Sequence, residues 1–246
     1  MTGAASAPDD ARGQYRTTTT EWARVPPYVR FRYERARELL PRNPMPVVEL
    51  GTGIGVALAY LARSRPDLKF VGYELSAAAV DFGRKHFGAI TNLRLEAVAD
   101  VREVARRMSY GSFLIALEVL EHLDDTSLDV FKRELMARVD ECVFSHPYAQ
   151  QNIEGTDHLQ SLDIYDIFEI FPGFETLFIR RHSIKFIGHW RRCPRGYVRE
   201  FLGVAGEDKA IAAIANVEGA ATSGPSWRQP LRSLAGWATR CDKQRS

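Results

Sequence analysis

The spacing of apolar and polar positions changes along the chain. Residues 28–40 carry apolar side chains at helical spacing, and Pro41 and Pro44 stop that run. From Pro46 onward, short apolar runs alternate with helical stretches. Residues 47–50, 69–73, 93–97, 113–117 and 141–144 read as strands. Residues 54–65, 76–87, 100–108 and 127–138 read as the helices between them, and 160–171 as a further helix. Near-continuous apolar strands alternating with helices predict an α/β architecture, with a mostly parallel sheet covered on both faces. Residues 175–180 and 183–190 follow each other closely and predict an antiparallel terminal pair, which brings the sheet to seven strands.

Outside this alternation the pattern fades. Residues 1–20 are small and polar and read as a flexible arm; residues 21–202 read as one domain with an N-terminal helical cap. Residues 203–246 begin with small residues and end in a basic tail. There Trp227, Leu231, Leu234 and Trp237 form one apolar helical face, suited to docking on the body, to homo-oligomer packing or to an anionic surface.

Composition narrows the classes. The chain has 246 residues, of which 45% are hydrophobic and 26% charged, enough to bury a core. No run approaches the ~20 apolar residues of a membrane span, and the first 20 residues lack the apolar core of a secretory signal. Cys142, Cys193 and Cys241 lie far apart, which argues against a disulfide framework or a zinc cluster and fits a cytoplasmic protein. The net charge of +2 comes from the tail, where Arg228, Arg232, Arg240, Lys243 and Arg245 face one acid, Asp242. The body is therefore slightly acidic and no platform for duplex nucleic acid.

The chemistry-bearing residues cluster after the strands. Glu49 leads into Gly51, Gly53 and Gly55, a turn through which backbone can approach a ligand closely while the next helix aims its free N–H groups there. A dinucleotide fold would want its third glycine at position 56, which is Val56. Glu74, at the end of the second strand, can accept hydrogen bonds from both hydroxyls of a ribose. Asp100 opens the helix after the third strand, as a ligand contact or as an N-cap. After the fourth strand, Glu118, Glu121 and His122 would share one face of a helical turn.

With these residues in this order, residues 47–190 resemble the class I S-adenosylmethionine-dependent methyltransferases, whose Rossmann-like fold has a seven-stranded, mostly parallel sheet. The resemblance implies that Glu49, Gly51, Gly53 and Gly55 hold the methionine part of the cofactor, Glu74 its ribose and Asp100 its adenine. The Glu-x-x-Glu-His pattern is similar to two metal-dependent branches: the small-RNA 3′-terminal 2′-O-methyltransferases and the O-methyltransferases of ubiquinone biosynthesis. By that resemblance Glu118, Glu121, His122 and His158 would bind Mg2+, with Mn2+ as an alternative. His146, after the fifth strand, reads either as a general base for a substrate hydroxyl or as a structural loop histidine. His86, His182 and His189 read as structural. Tyr15, Trp22, Tyr28, Phe31, Tyr148 and Trp190 are the aromatics available to an acceptor or to the core.

The expectation is an S-adenosylmethionine-dependent, Mg2+-dependent O-methyltransferase of a polyhydroxylated small molecule: a sugar or saccharide derivative first, a catechol or phenol next. A divalent ion touching the acceptor oxygen would lower its pKa, and His146 and His122 are the candidate catalytic residues. The alternatives are an RNA 3′-terminal ribose 2′-O-methyltransferase, whose binding would weaken steeply with salt, and a non-catalytic cofactor-binding partner subunit.

Overall fold

The computed structural model describes residues 19–147, 159–160, 162, 170, 174–182 and 185–192. The expected α/β architecture is present. Strands β1 (Pro46–Leu50), β2 (Lys69–Glu74), β3 (Leu93–Ala97), β4 (Ser112–Leu117), β5 (Val139–Pro147), β6 (Phe174–His182) and β7 (Lys185–Arg192) form one sheet in the order 3-2-1-4-5-7-6. The first five are parallel, and β7 runs antiparallel to both β5 and β6. The order reverses between β1 and β4, the switch point outside which open α/β sheets bind ligands at their carboxyl ends.

Burial explains the apolar strands. All six residues of β4 are buried, as are four of the five in β1. Val47, Phe70, Phe113, Ile115 and Val143 face helices α1 (Pro27–Leu39), α2 (Val56–Ser64) and α3 (Ala77–Phe87). Val48, Leu114, Cys142, Phe144 and Trp190 face α4 (Val101–Arg107) and α5 (Asp125–Val130). Helix starts follow their caps: Ser76, Asp100 and Asp124 each accept a backbone N–H three residues on. Helix α1 begins on Pro27, a favoured first helical position, and buries Val29, Tyr33 and Ala36 in one stripe.

Two elements differ from expectation. The helix expected over 127–138 is α5, ending at Val130, then a π-helical turn at Phe131–Leu135 and a 3-10 turn at Met136–Arg138. The wider turn keeps Phe131, Leu135 and Met136 buried in the core shared with α4. Strand β5 continues to Pro147, because its pairing with β7 extends to Lys185. The arm before residue 19, the tail after residue 192, and most of the expected helix over 160–171 lie outside the described residues. Among the described residues, no helix is long and apolar enough to cross a membrane.

Phe113, fully buried in central strand β4, should carry a large share of this packing. Phe113→Ala is expected to lower unfolding free energy by about 3–5 kcal/mol, read as an earlier urea midpoint with an unchanged slope.

Candidate active site

At the carboxyl end of β1 the chain passes through three left-handed glycines, Gly51, Gly53 and Gly55, with φ of 74°, 56° and 80°. Side chains disfavour that region, so the turn depends on glycine. Gly51 and Thr52 both donate backbone N–H to the Tyr73 carbonyl, at 2.9 and 3.1 Å, which fastens the turn to β2. A Cβ on Gly51 would lie 2.8 Å from Val119 Cγ2, and one on Gly55 would lie 2.6 Å from Leu95 Cδ1. The turn is thus wedged between Leu95 of β3 and the chain leaving β4.

Two acids flank the turn. Glu74, the last residue of β2, accepts the Gly53 N–H at 2.8 Å on one oxygen, and the Leu75 and Ser76 N–H groups at 2.8 and 3.1 Å on the other. Those bonds fix its carboxylate at the mouth of the turn. Glu49 is 1% exposed. Its carboxylate accepts from the Tyr33 hydroxyl of α1 and from the Thr52 hydroxyl, each at 2.6 Å. Burial pushes the Glu49 carboxyl up from 4.5 to about 7; the two hydroxyls oppose that shift and the charge of Glu74 adds to it. Burial beside Glu49 likewise raises the Tyr33 phenol well above its ordinary value.

A third acid faces the turn from β4. Glu118 has φ of 60°, unusual for a residue with a side chain. The expected helical turn therefore starts later, as a 3-10 turn at Leu120–His122, and Glu118 does not share a helical face with Glu121 and His122. Its N–H donates to the Ser145 carbonyl at 3.0 Å, and the Ser145 hydroxyl donates to its Oε1 at 3.0 Å. The Arg32 guanidinium of α1 lies 3.0 Å from its Oε2. Glu121 is buried, and its carbonyl accepts the Leu159 and Gln160 N–H groups at 2.6 and 3.0 Å. His122 is half-buried beside them.

The other expected site residues divide. Asp100 caps α4, accepting the Glu103 N–H at 2.7 Å. His146 is 1% exposed. Alternation along β5 places it on the sheet face opposite Ser145, so it does not share the wall formed by Ser145, Glu118 and Arg32. His158, Tyr15 and Tyr148 lie outside the described residues. Trp22 stacks on Tyr60 at 4.1 Å, and Trp190 is buried in the core, so both pack the fold. Tyr28 is half exposed, with the Arg32 guanidinium 5.8 Å from its ring centre. His189 is buried against Glu141, in keeping with a structural role. Among the described residues, no group of three His, Cys, Asp or Glu side chains is placed to hold a metal ion.

Sequence reasoning missed Arg32, Tyr33, Thr52 and Ser145. The available signal was the stripe of α1, since Tyr33 lies on the buried side with Val29 and Ala36 and Arg32 sits beside it.

No protein-family model and no curated protein matches the chain. Solved structures do. The methyltransferase domain of bacterial CtHen1-C is 18% identical, with a TM-score of 0.55 over 66% of this chain and 97% of that one. The magnesium protoporphyrin IX methyltransferase of Synechocystis, with S-adenosylhomocysteine bound, is 15% identical, with a TM-score of 0.53 over 65% and 81% of the two chains. The N-terminal domain of EvdMO1, solved in the presence of S-adenosylhomocysteine and D-fucose, is 17% identical, with a TM-score of 0.50 over 67% and 82%. The chain has the Rossmann-like class I methyltransferase fold. In that fold the Glu49–Gly55 turn, Glu74 and Glu118 all meet at the carboxyl edge, beside the strand-order switch.

The raised carboxyl of Glu49 gives the methyltransferase fold a pH dependence. A folded pKa of about 7 against 4.5 for an ordinary glutamate means the folded state holds the proton more tightly. Its contribution to stability is complete below about 4.5 and is lost as pH rises through about 7, an effect of about 3 kcal/mol. Unfolding free energy is expected to fall over that window in the wild-type chain. In Glu49→Gln the fall should be shallower, as measured by denaturant titration at several pH values.

Proposed function

We propose that this chain is an S-adenosylmethionine-dependent O-methyltransferase acting on a hydroxyl of a polyhydroxylated small molecule, a sugar or saccharide derivative first and a catechol or phenol next. The observation that carries this reading is the contact between Gly51 and Val119. It brings the turn that would hold a methyl donor against the Glu118 turn that would face an acceptor. The EvdMO1 domain, solved in the presence of D-fucose, is a structural parallel that supports the sugar class. The half-exposed Tyr28 ring beside Arg32 and Glu118 offers the aromatic and charged surfaces that a polyhydroxylated ring uses.

The residues present fit the cofactor. Glu74 is held by three backbone N–H groups at the mouth of the turn, where its carboxylate would accept from ribose hydroxyls. The left-handed turn Gly51–Gly55 would take the methionine portion, and Asp100 would lie toward the adenine amine. Once bound, S-adenosylmethionine supplies an already activated sulfonium methyl. The chain's part is then to align the acceptor oxygen and take its proton. Glu118 would orient the hydroxyl. His122, half-buried on the same turn, is the better proton acceptor than His146, which is buried on the other sheet face.

The expected Mg2+ set would bring Glu118, Glu121 and His122 together with His158, which lies outside the described residues. Glu118 already directs one oxygen at Ser145 and the other at the Arg32 guanidinium.

Isothermal titration with S-adenosylhomocysteine tests the donor half. Wild type is expected to bind it, and Glu74→Ala to bind at least about tenfold more weakly through loss of a charge-assisted acceptor. Absence of binding by the folded wild type would overturn the reading. Radiolabelled methyl transfer to pooled sugars, catechols and small RNAs then sorts the acceptor classes, with sugars expected to label first.

A further inference from the structure

We infer that Tyr33 is a positioning residue for the methyl donor: its hydroxyl, acting through the carboxyl of Glu49, braces the glycine turn that would grip the donor. The inference rests on the reading of the Glu49–Gly55 turn as the donor site.

A chain of contacts runs from α1 into the turn. The Tyr33 hydroxyl donates to Glu49 Oε1 and the Thr52 hydroxyl to Glu49 Oε2, each at 2.6 Å. Thr52 is in turn held through its backbone. Its N–H donates to the Tyr73 carbonyl at 3.1 Å, and its carbonyl accepts the Gly55 N–H at 3.0 Å. Its side chain lies over Gly72, where a Cβ would stand 2.7 Å from the Thr52 hydroxyl oxygen. Gly72 is also the β2 residue opposite Glu49. The orientation of one buried carboxylate is therefore passed to the residue between Gly51 and Gly53. Tyr33 fixes the other side of that carboxylate. Its ring is buried and meets Trp22 edge-on at 6.2 Å, so the hydroxyl is delivered from a held ring. Phenylalanine would pack in the same way, so packing gives no account of the hydroxyl.

Two donating hydroxyls suit an ionised carboxylate, which only accepts. On protonation one oxygen becomes a donor, and one of the two bonds must reverse or break. Burial raises the Glu49 carboxyl to about 7, while the Thr52 and Tyr33 hydroxyls hold it lower than burial alone would. The charged groups around the pair are Glu74 of β2, which adds to the rise of Glu49, and Arg32 of α1 and Glu118 after β4, which act on the Tyr33 phenol after burial and Glu49. Loss of the Tyr33 hydroxyl thus has a signature that loss of packing lacks: it moves the ionisation of Glu49 to higher pH.

S-adenosylhomocysteine binding is measured by isothermal titration from about pH 6 to about pH 9 in wild type, Tyr33→Phe, Glu49→Gln and the double variant, with thermal melting of each as the folding control. Wild type is expected to bind more tightly as pH rises through about 7, because the ionised carboxylate holds both hydroxyls. Tyr33→Phe should bind at least about fivefold more weakly near neutral pH, and the gap should narrow toward the alkaline end, where Glu49 is ionised in both proteins. On the Glu49→Gln background, Tyr33→Phe should weaken binding equally at every pH. A purely structural Tyr33 would lower the melting temperature and leave the affinity ratio to wild type independent of pH, and that result would overturn the inference. A flat wild-type profile would overturn it as well, an arm that needs no variant to fold. Absence of S-adenosylhomocysteine binding by folded wild type defeats the methyltransferase reading and this inference together, whereas binding with a pH-independent ratio defeats the inference alone.

Discussion

The constraint on which this site depends is the gathering of carboxylates at one sheet edge. Glu49, Glu74 and Glu118 come from the ends of β1, β2 and β4, and the strand order sets those ends side by side. Like charges at close range, in places where water is largely excluded, raise each other's proton affinity or require partners. The protein answers differently at each. Glu74 is met by three backbone N–H groups of its own neighbourhood. Glu49 is met by two hydroxyls and a pKa near 7. Glu118 is met by a hydroxyl and a guanidinium.

Helix α1 supplies two of these answers, and from adjacent residues. Tyr33 reaches the acid beneath the glycine turn, and Arg32 reaches the acid after β4. The helix that covers one flank of the sheet therefore also completes the polar edge. Its apolar stripe and its polar contacts reinforce each other, because Tyr33 is both buried in the core and bonded to Glu49. Trp22, stacked on Tyr60 of α2, fastens the segment that leads into α1.

The sheet was legible in the residue pattern because its strands are buried on both faces. Residues 113–117 are a continuous apolar run for that reason, and residues 47–50 are broken only by Glu49. The glycine turn and Glu74 were legible because glycine at a left-handed position leaves a spacing that few other structures need. The Glu118 turn was not. Its spacing suits a helix, but its conformation is set by Ser145 and Arg32, partners far away in the chain. Periodicity reports local preference and is silent about such contacts. His146 was misplaced for a related reason: extending β5 to Pro147 puts residues 145 and 146 on opposite faces, and only the pairing with β7 reveals that extension.

The placement of Arg32 and Tyr33 has a mechanical corollary. Adjacent residues on a helix cannot move independently, so displacement of α1 from Glu118 would also strain the Tyr33–Glu49 bond beneath the donor turn. Gly51 packs on Val119, the residue after Glu118, so the two turns are also coupled directly. Donor side and acceptor side are therefore joined twice, once through the helix and once through that contact. Such double coupling suits a reaction in which the oxygen must lie in line with the methyl group, because the geometry of one half then fixes the other.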